Sequence, residues 1–564
     1  MLLNPSNYSL KHEDPEFQEI ILKTIQFFET KGLQKVKDDD THRVWYADFL
    51  EFVKKEKIFA KLLTPPAYGK EGYRWDTWRI AHFNEILGFY GLAYWYTWQV
   101  SILGLGPIWM SSNETLKQRA ANQLEAGEVF AFGLSEKDHG ADIYSTEMSL
   151  TPQKNGHYLA NGSKYYIGNG NTAKMVSTFG KMSDSGDYVV FVANYQHEKY
   201  DCVKNVVNSQ SYVAEYALDD YPISEEDILH KGPEAWNAVL NTVNIGKYNL
   251  GWASIGMSTH AFYEALSHAS QRKLYDMHVT DFSHVQQMFV DGYTRLFAMK
   301  LVALRAADYM RVASSEDKRY LLYNPVVKMK VTTQGEKVVD LLWDVIAAKG
   351  FEKDTFFDMV TRDIRALPKL EGTVHVNIAL ILKFMASYFF RAKEYPVVEQ
   401  QSQAKNDDFL FDQGPTRGLG KILFHDYKKV YKEVQLPNVK IFKKQIRLLK
   451  TLLMMAKPDK EQRKDIDFLM ALGELFTLVV YGQLILENAK IYAVADDIID
   501  QIFDFIVRDF SSHALQLYSK SSATKNQMRL CSRMIKKPAV NRARFSRVWS
   551  DQIYPLKDAY IMQP

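Results

Sequence analysis

Cysteine is nearly missing: only Cys202 and Cys531 occur in 564 residues. A disulfide framework and a cysteine-built zinc site are both excluded on that count, and the usage fits a reducing compartment. No two histidines stand at helical ligand spacing, which argues against a metalloenzyme. No apolar run is expected to reach the roughly 20 residues that cross a bilayer. The start, Met1-Leu2-Leu3-Asn4-Pro5, lacks a basic segment followed by an apolar one, and Asp14, Glu16 and Glu19 come early. A secretory or transit peptide is therefore not expected, and the chain reads as cytoplasmic or as a mature chain whose targeting segment is absent. The formal net charge of +3 is small, and no helix-turn-helix or zinc motif appears, so nucleic-acid binding is not expected. Tandem repeats and low-complexity tracts are lacking too.

What is present is the composition of a soluble globular protein, 46% hydrophobic and 24% charged. The length implies two to four domains. Residues 1–130 read as helical: Phe17 to Thr30 repeats apolar positions at three and four residues, and Ser111-Ser112-Asn113-Glu114 reads as a capping box for a helix through Ala126. Residues 131–244 read as β structure. Runs such as Val189-Val190-Phe191-Val192 are punctuated by Asn155-Gly156, Asn161-Gly162 and Asn169-Gly170, which predict hairpin turns. The helical period returns near Ile245 and runs to 400. A polar linker follows, and then a second helical segment at 409–564. The expected class is mainly α with a central β domain.

The most informative tetrapeptide is Leu370-Glu371-Gly372-Thr373. An acid in an apolar neighbourhood, next to a glycine that lets backbone approach a ligand, is placed as a base for a carbon-bound proton. A solvated glutamate at a helix end reads the same four residues differently.

Four blocks in order set that acid in context. They are Phe132-Gly133-Leu134-Ser135-Glu136-Lys137-Asp138-His139-Gly140-Ala141-Asp142; Gly162-Ser163-Lys164-Tyr165-Tyr166-Ile167-Gly168-Asn169-Gly170; Asn244-Ile245-Gly246-Lys247-Tyr248 with Gln271-Arg272-Lys273-Leu274-Tyr275; and Trp343 through Gly350-Phe351 to Arg362-Asp363 and Glu371-Gly372-Thr373. Together, over roughly residues 40 to 400, they resemble the acyl-CoA dehydrogenase flavoprotein family. The resemblance implies a helical N-terminal domain, a β-barrel-like middle domain and a four-helix-bundle domain.

It also implies the chemistry: α,β-dehydrogenation of a fatty acyl-CoA to the trans-2-enoyl-CoA on bound FAD, with electrons passed to an electron-transfer flavoprotein. Glu371 would be the base. Phe132, Leu134, Ser135, Ala141, Tyr166 and Gly168 fall where the family contacts the flavin. Arg272 and Tyr275 match the pair that reaches a neighbouring subunit's FAD. Thr373 and His375 also match FAD positions, while Ala141, Lys247 and Gly372 match substrate positions. A surface arginine and a solvated lysine are the plain alternatives for Arg272 and Lys247.

Some residues depart from the family pattern. Tyr166 stands for tryptophan, Gly168 for threonine or serine, Lys137 for proline, Ala141 for serine, and Ala347-Ala348 for frequent glycines. An acyl-CoA oxidase and a catalytically idle scaffold are the alternative readings.

The added segment 409–564 resembles the long- and very-long-chain branch, which implies a homodimer. Val439 to Met455 reads as a basic amphipathic helix. Lys525 to Arg547 carries Lys525, Arg529, Arg533, Lys536, Lys537, Arg542, Arg544 and Arg547 with no acid. Peripheral membrane contact is one expectation for these stretches, and core packing or neutralisation of an acidic patch is the other.

Overall fold

The computed structural model describes residues 1–8 and 14–563. They form two compact units: residues 14–249, 402–417 and 563 make one, and residues 1–8, 250–401 and 418–562 the other.

The first unit is built on an open mixed sheet. Its strands are β1 (Phe130–Gly133), β2 (Ser149–Pro152), β3 (His157–Gly168), β4 (Met175–Met182), β5 (Tyr188–Ala193), β6 (Tyr200–Asn205), β7 (Val213–Ser224) and β8 (Ile228–Lys231). The order is β6-β7-β3-β2-β4-β5-β8, and β1 runs parallel to β4. Among the described residues no pairing joins β6 to β8, so the β-barrel-like domain that the resemblance implied is an open sheet. Edge strand β6 is largely exposed and carries Lys204, a charge that discourages further pairing there. Met148, Leu150, Ala160, Ile167, Val176, Phe191 and Tyr216 fill the core.

The Asn-Gly pairs do three different things. Asn155-Gly156 lies in the turn joining antiparallel β2 and β3, as predicted. Asn161-Gly162 lies inside β3 as an irregularity in its pairing with β7, with Gly162 at φ +138°. Asn169-Gly170 leaves β3 toward β4, and those two strands are not neighbours. A dipeptide that permits positive φ suits a bulge as well as a turn. The β structure ends at Lys231, and a helix, Gly232–Gly246, occupies the segment read as strand.

Helix α1 (Leu92–Met110) is buried on nearly every side, and α2 is the helix Gly232–Gly246. A Cβ on Gly104 would stand 2.7 Å from the Ala131 backbone, and one on Gly106 2.5 Å from Thr242 Oγ1. These glycines let α1 lie directly on β1 and α2. Ser101 Oγ accepts from the Phe130 amide at 3.2 Å, and Ser177 Oγ donates to the Gly104 carbonyl at 2.7 Å. The position of β1 is thereby fixed. The helix Glu114–Glu125 is capped by Asn113, whose side chain accepts from the Leu116 amide; the expected cap by Ser111 is not used.

The second unit is helical: α3 (Ser283–Arg311), α4 (Thr332–Ile346), α5 (Pro437–Met455), α6 (Ile466–Ile491), α7 (Asp496–Tyr518) and α8 (Lys525–Met534). Residues 250–401 and 418–562 share one interior. Arg295 of α3 makes a two-pronged contact with Asp509 of α7 (2.7 and 3.0 Å), and Asn488 of α6 donates to the Leu301 carbonyl at 2.8 Å. Contrary to the sequence expectation, α6 is long and apolar enough to cross a membrane. Its most apolar window is 83% buried inside the protein, as a central core helix would be.

Candidate functional site

Two groups of the expected residues lie one in each unit. In the sheet unit, Phe132 is buried in β1, and Leu134 and Ser135 follow it half-buried. Ser135 Oγ donates to the Tyr165 carbonyl at 2.6 Å, and the Tyr165 amide donates to the Ser135 carbonyl at 2.9 Å. Lys164, fully buried, donates to the Leu134 carbonyl (3.1 Å) and to Glu136 Oε1 (2.7 Å). Glu136 also accepts from Thr146 Oγ1 and from the Glu147 and Met148 amides. Burial pushes the Lys164 ammonium down to about 8; the neighbouring Glu136 charge opposes that shift. Burial resists ionisation of Glu136 too, but Lys164 and the hydrogen bonds hold its carboxyl below the usual range. Residues 132–136 and 164–168 are thus locked together as one surface.

Tyr166 is displayed on that surface. Its φ is +65°, in the left-handed region that a bulky side chain seldom adopts, and the residue is 60% exposed. The pairing of β3 with β7 shifts between Lys164 and Ile167, which turns the residue outward. An exposed aromatic held on strained backbone beside a fixed segment is what a planar cofactor ring would stack on, so the residues present fit a flavin. Ala141 is exposed and offers no hydroxyl.

Gly168 has a packing cause. A Cβ there would stand 2.7 Å from Tyr96 Cε1 and 2.8 Å from Val100 Cγ1, both on α1. The volume removed from the strand is occupied by the helix. We expect Gly168→Ser to cost about 1–3 kcal/mol through overpacking. Adding Tyr96→Ala should recover most of that loss, and a thermal-melting cycle on the four proteins measures it. Lys247, just after α2, is 5% exposed. It is therefore not the solvated lysine of the plain reading.

In the helical unit, Tyr275 (φ +52°) and Asp276 (φ +62°) form the tip of a two-stranded hairpin, with strands Lys273–Leu274 and Met277–His278. Two successive left-handed residues make the tight turn that suits such a hairpin. Tyr275 is 91% exposed and Arg272 is exposed at the hairpin's base. Ala347 adopts φ +55°, a conformation better suited to glycine.

Glu371 (φ +50°) and Gly372 (φ +88°) are consecutive left-handed residues in a loop after the turn that ends at Leu370. The helix Val374–Leu382 begins directly behind them, capped by Thr373, with His375 exposed in its first turn. The loop carbonyls are held from below. Asn377 Nδ2 donates to those of Gly372 (2.9 Å) and Thr373 (3.0 Å), and buried Lys328 donates to those of Pro368 (2.7 Å) and Gly372. Sequence reasoning did not single out Lys328 or Tyr96. Lys328 had one visible signal, a lysine inside the apolar run Val326-Val327-Lys328-Met329.

This arrangement of an open mixed sheet with helices before and after it defines a known class, the acyl-CoA dehydrogenase fold. The solved acyl-CoA dehydrogenase from Bacillus anthracis, complexed with FAD, superposes with a TM-score of 0.75 at 16% identity, covering 98% of this chain and 97% of that one. A family model, acyl-CoA dehydrogenase C-terminal domain, matches residues 234–386. An acyl-CoA dehydrogenase of Bacillus subtilis is 24% identical over 50% of this chain and 75% of its own length. The very long-chain specific acyl-CoA dehydrogenase of rat mitochondria is 24% identical over 63% of this chain, which spans only 55% of that protein. By fold, by the match over residues 234–386 and by relatives at 24% identity, the chain is similar to acyl-CoA dehydrogenases.

Proposed function

We propose that this chain is an FAD-dependent dehydrogenase of fatty acyl-CoA thioesters, yielding the trans-2-enoyl-CoA. The observation that carries the reading is Glu371, held with Gly372 in a left-handed loop inside the segment matched by the family model. Bound FAD supplies the acceptor for the hydride that leaves the β-carbon. Glu371 takes the proton at the α-carbon. That proton is too weakly acidic for a carboxylate unless charge on the thioester oxygen is stabilised, and the Glu371 backbone N–H is assigned that task. Leu134 and Ser135 hold the flavin through backbone groups, and Tyr166 stacks on it. Phe132, Ala141, Gly168, Thr373 and His375 complete the proposed cofactor contacts, and Lys247 and Gly372 those to substrate.

The partners follow the same reading. Electrons pass to an electron-transfer flavoprotein, and the chain acts in the cytoplasm as a homodimer. Exposed Arg272 and Tyr275 serve the second subunit's FAD. Long acyl chains are assigned by analogy with the added segment 409–564.

Peripheral membrane contact is proposed for the extension. Arg544 and Arg547 pair with Asp500 and Asp497, but Lys525, Arg529, Arg533, Lys536, Lys537 and Arg542 are exposed. On α5, Lys440, Lys444 and Arg447 are exposed, as is Met455 at 79%. Gln445 of α5 donates to the Met534 carbonyl of α8 at 2.9 Å, which places the two basic segments side by side. Anionic liposomes should pellet the protein at low salt and release it at high salt; protein left wholly in the supernatant at low salt removes the proposal.

The central test is the visible spectrum of the purified protein before and after anaerobic palmitoyl-CoA. Flavin bands that bleach support the reading. Flavin bands that persist point to another acyl group or to a redox-idle relative. A colourless protein that FAD cannot reconstitute overturns it.

A further inference from the structure

Lys328 is the least economical residue in the helical unit. It is completely buried, and moving an ammonium out of water costs several kcal/mol unless hydrogen bonds replace the lost hydration. A methionine or leucine would fill the same volume without that cost. The backbone around it is also irregular. Pro325 sits inside the helix Tyr320–Val326 and has no N–H to give, and the chain continues as a wide π-helical turn, Val327–Val331. Thr332 Oγ1 donates to the Lys328 carbonyl at 2.5 Å and supports that turn.

The ammonium reaches the loop that carries Glu371. It donates to carbonyls on either side of the acid, Pro368 at 2.7 Å and Gly372. Asn377 Nδ2 shares the Gly372 carbonyl at 2.9 Å. Between these fixed points Glu371 and Gly372 both adopt positive φ, a conformation that is unfavourable for Glu371. Strained backbone of this kind persists only where its surroundings hold it. The Gly372 carbonyl is pinned by two donors from different helices, so the direction of the Glu371 carboxylate and N–H is set from beneath.

We propose that Lys328 is a positioning residue for the reaction, a buried clamp that fixes the Glu371 loop in its productive geometry. The inference rests on the reading of Glu371 as the base. It assigns Lys328 no proton transfer and no contact with substrate. Its consequence is on the turnover step and not on binding, because a base displaced by about 1 Å loses about 100-fold in rate.

The test uses the full-length holoprotein and three variants, Lys328→Met, Asn377→Ala and Glu371→Gln. FAD content and melting temperature are measured for each. The rates are turnover with palmitoyl-CoA and exchange of its α-proton into D2O, and amide hydrogen exchange is followed over residues 366–377. Lys328→Met should lower both rates about 100-fold at nearly unchanged KM, with faster amide exchange confined to that loop and FAD content preserved. Asn377→Ala, which leaves one clamp in place, should show the same pattern with a smaller loss. A folded, flavin-loaded Lys328→Met protein with both rates within twofold of the parent overturns the proposal. If Lys328→Met does not fold, Asn377→Ala decides: unchanged α-proton exchange and unchanged loop protection overturn it. Glu371→Gln separates the two levels. Exchange that survives this change removes Glu371 as the base and the proposal with it; exchange lost in Glu371→Gln but kept in Lys328→Met removes only the clamp.

Discussion

Glu371→Gln is expected to leave a yellow, folded protein whose dehydrogenation rate falls by about 100- to 10,000-fold, the range a positioned general base contributes. Glutamine is nearly isosteric, and other groups hold the local backbone. The loop is held through the carbonyls of Pro368, Gly372 and Thr373 by Lys328 and Asn377. FAD content and melting temperature should therefore match the parent. KM should change little if the acid acts chiefly in the transition state. Stopped-flow reduction of the flavin under anaerobic conditions reads the step directly. Reduction at the parental rate would take Glu371 out of the base role and leave the solvated-glutamate reading in force.

The sequence made some of this legible and concealed the rest for physical reasons. The helical–β–helical order follows from hydrophobic period alone, and Glu371 stood out because an acid before glycine in apolar company is unusual. The open sheet was not legible, since closure depends on whether β6 meets β8, and no local pattern encodes a contact between strands so far apart in the chain. Asn161-Gly162 carries the same turn chemistry as Asn155-Gly156 yet makes a bulge, because both its flanks pair with β7. Gly168 looked like a lost hydroxyl; its cause is the Tyr96 ring on α1, which only the tertiary structure brings near. Lys247 had a solvated lysine as its plain alternative and Lys328 drew no reading at all, yet both are buried. A buried charge is defined by its partners, and two carbonyls that Lys328 reaches lie 40 and 44 residues away.

The second large effect is expected far from that loop, where the added segment meets the bundle. Glu487 of α6 has a side chain 9% exposed. It accepts from Arg305 Nε (2.9 Å), the Tyr309 hydroxyl (2.8 Å) and Gln483 Nε2 (2.7 Å), and it pairs with His425 Nε2 at 2.8 Å. Burial works against its ionisation, but the His425 hydrogen bond and the His425 and Arg305 charges hold the carboxyl far below its ordinary value of 4.5. Among the described residues, Glu487→Ala leaves the buried Arg305 guanidinium with Asp308, 3.2 Å away, as its ion-pair partner. The expected loss is about 3–5 kcal/mol, because the penalty is that of a stranded charge and not that of one contact. Pairing the change with Arg305→Met should recover most of it, since the buried charge is then gone as well. The pH dependence has a definite sign. A carboxylate depressed in the folded state gives its full stabilisation above pH 4.5 and loses it as the pH falls toward the folded value. Urea titrations at pH 7 and pH 4, followed by helical circular dichroism, should show the parent weakening on acidification and Glu487→Ala weakening less. Equal pH slopes for the two proteins would mean that Glu487 is not the carboxylate that ties the extension to the bundle.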